Sequence, residues 1–182
     1  MNKRILETLE FEKVKQLVRQ YLVTAQGQEE LVKLVPVNQK EHITDWLAET
    51  EDGLKVQRLR GGIPISKLEN IRPHMKRIEI GADLNGVELA EVSRVLSTTS
   101  ELKRFIDDLA DSEIDFYRLY FWADQLVTIP VLSRRLKEAI DEDGRVTDDA
   151  SPELKSIRQN IRRSEQTVRE QLDGIVRGKN AK

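Results

Sequence analysis

Residues 151–176 read SPELKSIRQNIRRSEQTVREQLDGIV, and the reading of this stretch decides the fold. Apolar or small side chains fall at Leu154, Ile157, Ile161, Ser164, Val168, Leu172 and Ile175, a spacing of three and four that lines one side of a helix. Ser151 supplies a capping hydroxyl, and Pro152 sits where a missing N–H costs nothing. At 1.5 Å per residue the helix is roughly 35 Å long, about twice a typical globular helix. An arm of this length implies a projecting element that works as part of a larger assembly.

The preceding residues predict packed helices. Phe11, Val14, Leu17, Val18, Tyr21 and Leu22 form an amphipathic stripe over 11–23, after a helical turn around Ile5–Leu9. A short helix is expected over Gln28–Leu34, stopped by Pro36. Asn38 with Glu41 resembles a capping box opening the next helix, which carries Ile43, Trp46, Leu47 and Leu54. Gly61-Gly62 and Pro64 break it. A helix near Ile71–Glu79 tolerates Pro73 in its first turn. Asn85 and Glu88 cap a long helix with Val92, Val95, Thr99, Leu102, Ile106 and Leu109 at regular spacing. The aromatic run Asp115–Leu126 is the expected core centre, and Pro130 opens a helix to Ile140. The acidic connector around Asp143-Gly144 is expected to hold two short extended pieces. The fold class is all-α: a helical core domain over 1–150 and a lever-like helix over 151–182.

Composition narrows the function classes. Of the 182 residues 38% are hydrophobic, 34% charged and 5% aromatic, which suits packed helices with wide solvated faces better than a deep enzyme core. With no cysteine there is no disulfide framework and no thiolate metal site. No run is long and apolar enough for a membrane span, and MNKRILETLEFEKV lacks the apolar region of a secretory signal, so a cytoplasmic location and no membrane partner are expected. Residues 151–182 hold eight Lys/Arg against four Asp/Glu, which leaves 22 against 28 for residues 1–150. The basic end permits a polyanionic partner without demanding one.

Several motifs that could carry chemistry fail on spacing. Gly61-Gly62-Ile63-Pro64-Ile65-Ser66-Lys67 lacks the glycine before the lysine and the Ser/Thr after it, and Pro64 removes an amide that a phosphate loop would use. The acids Asp141, Glu142, Asp143, Asp148 and Asp149 have glycine at the wrong loop position for calcium, with Pro152 where a bidentate Glu is needed. Asp107, Asp108, Asp111, Glu113 and Asp115 read as a solvated helix end. His42 and His74 read as surface residues, and Trp46 and Trp122 as core. No catalytic constellation and no cofactor site is expected. Arg158, Arg162, Arg163 and Arg169 are the candidate contacts to a nucleic-acid backbone, because guanidinium groups a turn apart suit phosphates. Arg158 and Arg162 repel mildly at i,i+4, an arrangement that helix stability alone does not call for. The competing reading is a solvated flank balanced by Glu165 and Glu170.

LETLEFEKVKQLV, TAQGQEEL, RLRGGIP, IEIGADL and DEDGRVTDDASPELKSIRQNIRRSEQTVRE, in that order, together resemble the N-terminus of the type-2 bacterial MutS family. The resemblance implies a MutS-like protein without mismatch-reading and connector domains, and Phe11-Glu12-Lys13 carries no Phe-x-Glu wedge. It implies that a clamp, a dimeric ATPase using ATP and Mg, and a C-terminal nuclease follow beyond Lys182, so that this segment is not itself an enzyme. The family is associated with branched DNA and suppression of homologous recombination. It is also associated with collided ribosomes, where this segment would contact ribosomal RNA or protein. A free-standing helical adaptor is the third alternative. Part of the apolar face from Ile161 to Ile175 is expected to be unpaired within the chain.

Overall fold

A computed structural model describes residues 3–177; residues 1 and 2, and the predicted end of the lever at 178–182, lie outside the described residues. The helices are α1 (Lys3–Thr8), α2 (Phe11–Arg19), α3 (Ala25–Lys33), α4 (Lys40–Arg60), α5 (Arg72–Glu79), α6 (Gly86–Asp107), α7 (Tyr117–Asp124), α8 (Pro130–Ala139) and α9 (Pro152–Arg177). Short 3-10 turns follow α6 at Asp108–Asp111 and precede α9 at Asp148–Ala150. The only sheet-like features among the described residues are isolated bridges, Thr24 with Leu68 and Ile140 with Val146. The all-α class is therefore borne out.

Local signals set most boundaries. The Asn85/Glu88 capping box is present in both directions, with Asn85 accepting from the Glu88 N–H and Glu88 accepting from the Asn85 N–H. Gly61 closes α4 in the left-handed region at φ 79°, where a Cβ would be strained. α3 begins at Ala25, earlier than expected, because the Thr24 hydroxyl accepts from the Gly27 N–H. The expected Asn38 cap does not form. Gln39 takes the cap position of α4 without a side-chain hydrogen bond.

α6 is the central column, packed on α7, on α8 and on the turn that ends it, while α4 packs on α7. Val56 of α4, Leu109 and Phe116 are fully buried, with Ile63, Phe105, Leu119 and Tyr120 against them. At the other end of α6, Ala90 and Ser93 are buried with Ser133 of α8, small side chains that let two helices approach closely.

The aromatic run is only partly core. Phe116 is fully buried, but Trp122 is 48% exposed and Trp46 42%, which corrects their assignment to the interior. Their rings line one groove with Leu34, Val35 and Glu49, and the Trp122 indole N–H donates to Glu49 at 3.1 Å. The helical spacing holds, but Trp46 and Trp122 sit on this open groove and not in the interior. His74 is a second correction. It is half-buried, with Nε2 2.7 Å from Glu91 and Nδ1 3.7 Å from Glu88, and ties α5 to α6.

One buried acid is invisible in the sequence. Asp52 of α4 is 4% exposed. Its Oδ2 accepts from the Arg118 and Leu119 backbone N–H groups at 2.9 and 3.3 Å, so it caps α7 from another helix. Lys55 donates to Asp52 Oδ1 at 3.0 Å and to the Asp115 carbonyl at 2.9 Å, and the Asp52 bond pushes the Lys55 ammonium pKa up. Phe116, at the cap position of α7, offers no side-chain acceptor, so Asp52 supplies what the local sequence lacks.

Candidate functional site at the base of the long helix

The connector after α8 folds back as a tight turn. Ile140 and Val146 bridge antiparallel, and the Gly144 N–H donates to the Asp141 carbonyl at 3.1 Å. Asp141 Oδ1 accepts from the Asp143 and Arg145 N–H groups at 3.0 and 2.8 Å, the aspartate turn chemistry that the acidic run encodes. The expected pair of short extended pieces is present in this minimal form.

The turn seats directly on the N-terminus of α6. A Cβ on Gly86 would lie 2.0 Å from the Gly144 carbonyl oxygen, and one on Gly144 would lie 2.5 Å from the Val87 nitrogen. Gly144 also has φ +82°. No other residue fits either position without displacing backbone. The same end of α6 is held from α5 by Arg77, which donates to Glu88 and to the Asp83 carbonyl. The Asn85 amide, with Arg77 beside it, holds the Glu88 carboxyl below the usual range.

From this seat α9 departs. The Ser151 hydroxyl accepts from the Leu154 N–H at 3.1 Å, as the sequence predicts. Asp148 then receives two successive turns of the helix, Arg158 at 2.7 Å on one oxygen and Arg162 at 2.8 Å on the other. Arg158 also donates to the Val146 carbonyl at 2.9 Å, and Lys155 pairs with Asp149 at 2.9 Å. Two guanidinium groups a turn apart on one carboxylate constrain the tilt and the rotation of the helix more than a single ion pair does, although each pair contributes little at this exposure. Hydrogen bonds from Arg158 and Arg162 hold the Asp148 carboxyl below its ordinary range, and Asp149 raises the Lys155 ammonium.

The direction of these shifts sets a pH window. Asp148 stabilises the folded state above its unfolded value, near 3.9, and that contribution is lost as pH falls through the lower folded value. Lys155 contributes below its unfolded value, near 10.4, and loses it as pH rises through the higher folded value. Amide-exchange protection over 154–160 is accordingly expected to stay flat from about pH 5 to 9 and to fall below about pH 4. Asp148→Asn is expected to lower protection at neutral pH and to flatten the acid limb; an unchanged acid limb would show that Asp148 does not brace the helix.

The four arginines do not form one patch. Asp148 occupies Arg158 and Arg162, which gives that mildly repelling pair a structural task the sequence does not suggest. Arg163 and Arg169 make no ion pair among the described residues. At 100° per residue Arg169 shares a flank with Arg158 and Arg162, while Arg163 points to the side opposite the apolar stripe.

From Ile157 onward the apolar face of the arm is bare. No residue of α9 is buried, and Ile157, Ile161, Val168, Leu172, Ile175 and Val176 are each 52–69% exposed. The expectation of an unpaired apolar face is borne out. Among the described residues no group of three or more His, Asp or Glu is placed to hold a metal ion, and no helix is long and apolar enough to cross a membrane.

Fold and site define a helical core carrying a long arm that is braced at its base and uncovered along its length. Comparison with known proteins places that architecture. The chain is homologous over its whole length to a segment of the type-2 MutS proteins. It is 68% identical over 182 residues to the "Endonuclease MutS2" of Enterococcus faecalis, 48% identical over 184 residues to that of Lactiplantibacillus plantarum, and 46% identical over 182 residues to that of Levilactobacillus brevis. Each alignment takes in all of this chain and 23% of the relative, so the chain spans about a quarter of the length of the curated proteins it matches. No protein-family model matches it.

Proposed function

We propose that this segment is the non-catalytic core and lever of a MutS-type protein that acts on branched DNA, with α9 transmitting movement between the core and the parts of the protein that close on nucleic acid. The observation that carries the reading is the base of α9. A glycine-seated turn and a doubly bridged Asp148 hold a bare 26-residue helix at a fixed angle to the core. A helix that served only the core would bury its stripe along the core. The name of the relatives, an endonuclease, and the full-length alignment support a nucleic-acid setting. Cutting, ATP hydrolysis with Mg, dimerisation and suppression of recombination belong in this reading to the longer protein, at work in the cytoplasm.

Arg163 and Arg169 are the residues assigned to DNA phosphates, since Arg158 and Arg162 are engaged at the base. Removing one side chain that neutralises a phosphate lowers the slope of log affinity against log salt by about 0.9. Binding of a four-way junction by anisotropy at 50 and 200 mM salt should show the Arg163→Ala/Arg169→Ala variant about tenfold weaker at low salt, with a slope smaller by about two. Unchanged affinity and slope would remove DNA from the reading of α9. Crosslinks from α9 to ribosomal RNA in stalled ribosomes, with none to DNA, would transfer it to the ribosome.

A further inference from the structure

We infer that the base of α9 is a second contact site for a nucleic-acid backbone, closed in this structure by Asp148, whose carboxylate stands where a phosphate would stand. The inference rests on the reading of α9 as an arm that meets DNA, and it names the control of that contact.

The cations at the base share one flank. At 100° per residue Lys155, Arg158, Arg162 and Arg169 fall within about 60° of one another around α9. Asp148 takes Arg158 and Arg162 at 2.7 and 2.8 Å, and Asp149 takes Lys155 at 2.9 Å. Two successive acids of the connector therefore lie against the first three cations of the flank, while Arg169 makes no ion pair among the described residues. Arg158 and Arg162 repel at i,i+4, so the pair calls for an anion shared between them. A carboxylate and a phosphate oxygen pair suit guanidinium groups equally well, and Asp148 fills the place from within the chain.

These pairs are open enough to be exchanged. The side chains of Arg162 and Lys155 are 64% and 51% exposed, and ion pairs in contact with solvent are weak and screened by salt. Arg158 is more enclosed, and it keeps the Val146 carbonyl as a partner when Asp148 leaves, with further N–H donors to offer.

Only one anion can hold the pair at a time. DNA at the base must displace Asp148, and with it part of the brace on α9. By linkage, binding at the base and loosening of the arm then favour each other to the same degree. Arg163 and Arg169 need no such exchange, so the arm carries one contact that is open and one that is masked.

A double-mutant cycle tests the mask, read by anisotropy of a four-way junction with the 182-residue chain at 50 and 200 mM salt. Asp148→Asn should bind about tenfold tighter at the lower salt, with a slope of log affinity against log salt steeper by about two, one for each guanidinium group freed. Arg158→Ala/Arg162→Ala should bind as the parent does, because both side chains are already occupied. Adding Asp148→Asn to that variant should gain less than about twofold, since nothing is left to unmask. No gain from Asp148→Asn overturns the proposal. So does a gain that persists without Arg158 and Arg162, because it then comes from the lost negative charge alone. Weaker binding by Arg163→Ala/Arg169→Ala beside either result leaves the open contact standing, whereas no binding by any of these chains ends both.

Discussion

Replacing Asp52 by alanine should destabilise the chain by about 3 kcal/mol, the largest effect expected of any single side chain here. Losing an N-cap costs about 1–2 kcal/mol, and stranding buried donors adds about 1–3 kcal/mol for each group left without a partner. Asp52→Ala does both. The Arg118 and Leu119 amides lose their acceptor, and Lys55 loses its carboxylate partner, leaving only the Asp115 carbonyl. Asp52→Asn keeps an oxygen for the amides and should cost roughly half as much. For a chain of this length, about 3 kcal/mol corresponds to a fall in Tm of about 6–12 °C. A shift in Asp52→Ala within about 1 °C would mean that α7 is not capped from α4.

The second large effect is local. Gly144→Ala meets two penalties, a left-handed backbone that a Cβ strains and a Cβ 2.5 Å from the Val87 nitrogen. Gly86→Ala meets the Gly144 carbonyl at 2.0 Å. Backbone cannot rotate away as a side chain can, so each substitution should cost about 2–4 kcal/mol. The damage should concentrate where the turn sits. Amide exchange is expected to rise in 140–160 and at the start of α6, with little change around Val56, Leu109 and Phe116. Because the two substitutions disrupt the same close approach, the double variant should cost less than the sum of the singles. Full additivity would argue that the two glycines do not meet.

These two sites show where sequence reading succeeds and where it stops. Asn85 with Glu88, Ser151 with Pro152, and the Asp141–Gly144 turn are local chemistries, closed within three or four residues, and the chain states them openly. The Asp52 bond to the Arg118 amide spans 66 residues. In sequence Asp52 is one acid among several on a charged helix, and nothing in its spacing separates it from Glu51. Asp148 is similar, since an acidic connector reads as solvated until α9 brings Arg158 and Arg162 across it. Helical period places Trp46 on an apolar face, but period cannot say whether anything lies over that face. The apolar stripe of α9 is legible from its period, but the expectation that part of it is unpaired rests only on what the resemblance implies. Arg158 and Arg162 are candidates for phosphate if their repulsion needs an outside reason, and the structure supplies an inside one.

The central claim is that α9 leaves the core at a fixed angle set by the Gly86–Gly144 seat and by Asp148. Distances between spin labels at Glu101→Cys on α6 and Glu170→Cys on the back of α9 test it most directly, in a chain with no other thiol and diluted with unlabelled protein. The account predicts one narrow distance distribution for the parent chain and a broad one after Asp148→Ala. A broad distribution in the parent chain, or a narrow one that survives Asp148→Ala together with Gly144→Ala, would contradict it.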